Sequence, residues 1–177
     1  MEIYFLRHAS AGKPKLNPKA DERRPLDKLG IQQCHIVGRA LAALKPDLDL
    51  IITSPLTRAQ QTAAIVAGEV DQADKLVSDD ALRPEAAYEE FEQLLARHKN
   101  KNAIMVVGHN PSQTGFLNRL VMGEDSSAPV ELKKGAIAKV EKDGSSPAVL
   151  KWCMPPKVVR AIQQGSASSS RPKTVSK

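Results

Sequence analysis

Arg7-His8 closes one short apolar run, Ser54-Pro55 follows a second with Arg58 close behind, and Gly108-His109-Asn110 follows a third. Arginine offers a planar fork of donors that matches phosphate oxygens, and it stays charged at any relevant pH. A neutral imidazole nitrogen can attack phosphorus in line and carry the phosphoryl group covalently. Two arginines, two histidines and two helix N-termini at one spot would hold a doubly negative oxyanion. They would also stabilise the charge spread over a transferring phosphoryl group. Chemistry of this kind needs no metal and no cofactor. Cys34 and Cys153 have neither metal-like nor redox spacing, which points to two free thiols.

The elements that must position these residues are legible in the apolar pattern. Residues 2–6, 50–53 and 103–107 are short apolar runs bounded by polar residues, as buried strands are. Ile31, Cys34, Val37, Leu41 and Leu44 recur at spacings of three and four, which predicts a helix face over 26–44, closed by Pro46. Ser54-Pro55 and Asn110-Pro111 each read as an N-cap followed by Pro at the first helical position, opening helices to Glu69 and Met122. A further helix is expected over 86–98, and a pair of strands, 136–140 and 148–152, joined by a turn at Asp143-Gly144. Strands alternating with helices imply an α/β fold around a mainly parallel sheet. Ligands in such sheets bind beyond the carboxyl ends of the strands, so the three polar junctions should meet at one edge.

Three separated segments carry a resemblance. LRHAS at 6–10, TSPLTRAQQTA at 53–63 and VGHNPS at 107–112 resemble the signature segments of the histidine phosphatase superfamily, the fold of phosphoglycerate mutases and acid phosphatases. The resemblance implies a three-layer α/β/α sandwich with His8 as nucleophile, Arg7 and Arg58 as phosphoryl ligands and His109 as the second pocket histidine. It also points to a metal-independent phosphatase. Ala9 stands where the mutases carry Gly. RRPLDKLG at 23–30 and LKWCMPPKVVRA at 150–161 are similar to the small SixA-type phosphohistidine phosphatases. That branch lacks long insertions over the site, so the expected substrate is a phosphorylated protein, such as a histidine-phosphotransfer or kinase domain. A small phosphate ester is the alternative, and a phosphoprotein-binding pseudoenzyme is a third reading.

Mutase-like relatives place a general acid in a segment resembling Ala81 to Glu85, which makes Glu85 the candidate here, with Asp21 a remote second. Ser10 and Asn110 are further candidates for contact with the substrate. His35 and His98 lie outside the motifs and read as surface or structural residues, and Trp152 reads as a packing group.

The chain has 177 residues, enough for one domain with a real core, here taken as 1–162. Aromatics are only 3%, so aliphatic and alanine side chains must fill the interior. The net charge of +6 draws half its excess from Arg171, Lys173 and Lys177 in a Ser-rich tail, 163–177, expected to be disordered. With no basic-aromatic interleaving, nucleic acid is not an expected partner. The apolar run Ile3–Leu6 is too short for a signal peptide or a membrane helix. The expectation is a cytoplasmic monomer.

Overall fold

The computed structural model describes residues 1–123, 130–144 and 146–169, the last four by backbone alone. In chain order the elements are β1 (Glu2–Arg7), α1 (Pro18–Glu22), α2 (Lys28–Ala43), β2 (Leu50–Thr53), α3 (Thr57–Glu69), β3 (Leu76–Ser78), α4 (Tyr88–Arg97), β4 (Ala103–Gly108), α5 (Ser112–Met122), β5 (Ile137–Glu141), β6 (Val149–Met154) and α6 (Pro156–Ser169). The six strands form one sheet in the order β3-β2-β4-β1-β5-β6. β3, β2, β4 and β1 pair in parallel, and β5 runs antiparallel to both its neighbours. The mainly parallel α/β sheet expected from the sequence is present.

Side chains alternate across a strand, so each buried strand feeds two cores. Ile3, Phe5, Ile52, Ile104, Val106, Ala138 and Val140 face one side, with Phe91, Leu94, Phe116, Leu117 and Leu120 of α4 and α5. Tyr4, Leu6, Ile51, Met105, Val107 and Ile137 face the other, with Cys34, Val37 and Leu41 of α2 and Ala59, Ala63 and Val66 of α3. Helices therefore cover both faces, giving three layers. The few aromatics are placed as packing groups. Phe91 and Phe116 stack at 4.7 Å, and Trp152 meets Tyr4 edge-on at 5.9 Å. Full burial of one Leu, Ile or Phe side chain is worth roughly 1.5–3 kcal/mol, so the site stands on a rigid base.

Several elements depart from the sequence expectation. β3 is a three-residue edge strand beside β2, too short to show an apolar pattern. α1 lies in what reads as a polar loop. Asn17 caps it, accepting from Ala20 N–H, and Pro18 sits in its first turn. The tail boundary at 163 is displaced, because α6 continues through Ser169. Val159 is buried, and Gln163 Nε2 donates to the Ile36 carbonyl at 3.2 Å, docking α6 along α2. Residues 170–177 of the expected tail lie outside the described residues.

Candidate active site

β4 lies between β2 and β1, and all three run the same way, so their carboxyl ends share one edge. The register is tight: Arg7 pairs with Gly108, and Thr53 with Val107. Beyond the last pairs, His8 N–H donates to the Gly108 carbonyl at 2.9 Å and Ser54 N–H to the Val107 carbonyl at 2.9 Å. The backbone thus fixes the three polar junctions side by side. Gly108 allows this closeness, since a Cβ there would lie 2.4 Å from Gln113 Oε1. Gly30 does the same on the α2 side, where a Cβ would fall 2.0 Å from the Ser10 carbonyl oxygen.

His8 and His109 are 6% and 1% exposed, and their ring centroids are 4.9 Å apart. His8 Nδ1 lies 2.7 Å from the Ala9 carbonyl oxygen. A carbonyl only accepts, so Nδ1 carries the proton and Nε2 keeps its lone pair. Burial pushes the His8 pKa down to about 3, the hydrogen bond to Ala9 opposes this, and the charges of Arg58 and Arg7 add to it. His109 is pushed down to about 2 by burial first, then by His8, Arg58 and Arg7. Both rings are therefore neutral at physiological pH. That suits one of them to nucleophilic attack.

The two arginines are anchored at one end. Arg7 Nη1 donates to the Leu132 carbonyl at 2.8 Å. Arg58 Nη1 donates to the Asp21 carbonyl at 2.9 Å and lies 3.3 Å from Asp21 Oδ2. Burial lowers both guanidinium pKa values from the ordinary arginine range. Arg7 Nε, Arg58 Nε and His109 Nδ1 are buried without a hydrogen-bond partner among the described residues. Each such group costs roughly 1–3 kcal/mol unless satisfied. Three unsatisfied nitrogens around a neutral His8 form a cradle suited to the oxygens of a phosphoryl group.

The structure brings Arg7, His8, Arg58 and His109 together as expected. The other candidates are placed differently. The Ser10 hydroxyl donates to Asp27 Oδ2 at 2.7 Å, so it braces the loop against the start of α2. Asn110 is not a helix cap: α5 begins at Ser112, and Asn110 instead donates from Nδ2 to the Leu132 carbonyl and accepts from Thr114 Oγ1. Glu85 sits in a turn whose Arg83 carbonyl accepts from Ser112 Oγ, so its segment borders the site, but its side chain is exposed. Asp21 is held at a pKa of about 2, chiefly by the Arg24 hydrogen bond, and is a carboxylate with no proton to give.

Two contributors were not foreseen. Ser54 is not the cap of α3, which starts at Thr57 behind Leu56. Its hydroxyl lies 2.9 Å from His109 Nε2 and orients that ring. The Leu132 carbonyl holds both Arg7 and Asn110, which makes the connection into β5 a wall of the site. A Ser-Pro pair reads as a cap from local sequence, and a carbonyl carries no residue signature at all.

A family model of the histidine phosphatase superfamily (branch 1) matches residues 3–94. The chain belongs to the histidine phosphatase superfamily. Escherichia coli (strain K12) phosphohistidine phosphatase SixA is 26% identical over 172 residues, covering 92% of this chain and 100% of that protein. The SixA structure from Agrobacterium tumefaciens superposes with a TM-score of 0.74 at 25% identity, covering 88% of this chain and 97% of the other. SixA complexed with tungstate shares the fold at a TM-score of 0.77 and 23% identity, over 89% and 98% of the two chains. The superfamily match and the full-length likeness to SixA together make the chain a phosphatase, and its Arg-His cluster lies at the ends of β1 and β4 and in the first turn of α3. No helix among the described residues is long and apolar enough to cross a membrane.

Proposed function

We propose that this histidine phosphatase removes phosphate from phosphohistidine on a protein, through a covalent intermediate on His8 and without a metal. The observation that carries the mechanism is the hydrogen bond from His8 Nδ1 to the Ala9 carbonyl, which leaves Nε2 as an unprotonated nucleophile. Nε2 attacks phosphorus as the bond to the leaving group breaks, and the leaving group departs with its electron pair. Arg7, Arg58 and His109 Nδ1 hold the oxygens while the charge spreads. Water then attacks phospho-His8, releasing inorganic phosphate and returning the lone pair to Nε2.

The substrate class is supported by the two candidate acids, Asp21 and Glu85, neither of which is a ready proton donor among the described residues of the cluster. Asp21 is ionised and salt-bridged, and Glu85 is exposed. An alkoxide leaving group would need a proton from such a donor, whereas the imidazole of a phosphohistidine departs with little help. The likeness to SixA points the same way. Turnover of a phosphohistidine-bearing protein should exceed that of a panel of sugar phosphates and nucleotides by at least tenfold in kcat/KM. A preference for the metabolites would leave the nucleophile in place but remove this substrate.

A further inference from the structure

The loop between His8 and α2 carries an apolar side chain that nothing in the catalytic cluster explains. Leu16 is 105% exposed, while the next most exposed large apolar residue among those described, Ile162, is at 64%. The segment around Leu16 is firmly held. Lys15 N–H donates to Asp21 Oδ1 at 2.8 Å, Asn17 caps α1, and Arg24 Nη1 donates to the Ala11 carbonyl at 2.7 Å. The same Asp21 takes Arg58 through its carbonyl and its carboxylate. Leu16 therefore stands on a scaffold tied directly to a phosphoryl-binding arginine. Lys13, Lys15 and Lys19 flank it. All three are exposed, and their ammonium groups have no ion-pair partner among the described residues.

We propose that this loop is the docking surface for the protein substrate, with Leu16 as an apolar anchor and Lys13, Lys15 and Lys19 as a basic rim. The partner it fits is an acidic protein face with a small apolar depression beside the phosphorylated side chain. A small phosphate ester is handled by Arg7, Arg58 and His109 and has no use for this surface. An apolar anchor inside a charged rim is how protein interfaces combine residence with steered encounter. The inference rests on the proposal that the substrate is a protein, and it adds which face of the enzyme that protein meets.

The test measures binding of an unphosphorylated acidic histidine-phosphotransfer domain to the full chain, with p-nitrophenyl phosphate turnover as the control for an intact site. Leu16→Ser, and separately the triple variant Lys13→Glu, Lys15→Glu, Lys19→Glu, should each weaken binding at least tenfold and keep p-nitrophenyl phosphate turnover within twofold. A control with the same charge change elsewhere, Lys45→Glu, Lys99→Glu, Lys101→Glu, should bind as the wild type does. No binding by the wild type, equal binding by the loop variants, or equal loss in the control would overturn the docking surface. Hydrolysis of free phosphohistidine by the wild type reports on the substrate chemistry alone, so the two failures are distinguishable.

Discussion

At the scale of single residues, the site works by leaving polar atoms unsatisfied where a phosphoryl group is to sit. Arg7 and Arg58 are each pinned at one nitrogen, to the Leu132 carbonyl and to Asp21, which spares the Nε edge for ligand. Ser54 does for His109 what the Ala9 carbonyl does for His8: it fixes the ring plane. Ser54→Ala should lower kcat about tenfold, the worth of roughly one hydrogen bond in the transition state. Its melting temperature should also fall by a few degrees, because buried His109 Nε2 loses its partner. An unchanged kcat would show that His109 is oriented by packing alone. Of these residues the charged and aromatic ones were legible, because Arg and His at strand ends are rare enough to carry meaning in groups. Ser54 and Leu132 were not, since a hydroxyl is common in turns and a backbone carbonyl is invisible in a sequence.

At the scale of elements, the parallel trio β2-β4-β1 explains why residues a hundred positions apart act together. Their apolar runs were long enough to be read, and the parallel pairing followed from the helices between them. Helix starts were read two residues early at α3 and one residue early at α5. Pro55 and Pro111 mark the approach to each helix, but Ser54 and Asn110 are committed to partners in the site and cannot cap. α6 escaped notice because its Ser, Gln and Gly residues resemble a linker, although Val159 is buried and Gln163 reaches the Ile36 carbonyl of α2. Deleting 156–177 should cost at least about 2–3 kcal/mol of stability, since buried Val159 and Pro156 and the Gln163 hydrogen bond are lost together. A urea midpoint unchanged by the deletion would show that α6 adds nothing to the core.

At the scale of the whole molecule, burying two neutral imidazoles makes stability depend on pH. His8 and His109 have folded pKa values of about 3 and about 2, below the ordinary 6.5. The unfolded chain therefore binds protons that the folded one refuses between those limits. Their contribution to stability is present above pH 6.5 and falls away as the pH drops towards 3. At pH 5 the loss is about 2 kcal/mol per histidine. Urea titrations should show this fall between pH 7 and pH 5, and His8→Asn should remove about half of the pair's share. The same neutrality underlies catalysis, and the most direct measurement is of the intermediate itself. Mixing the enzyme with a phosphorylated substrate and quenching within milliseconds should trap an acid-labile, base-stable phosphoryl label on His8, lost entirely in His8→Ala. Turnover without such a label, or a label that survives in His8→Ala, would contradict covalent catalysis by His8.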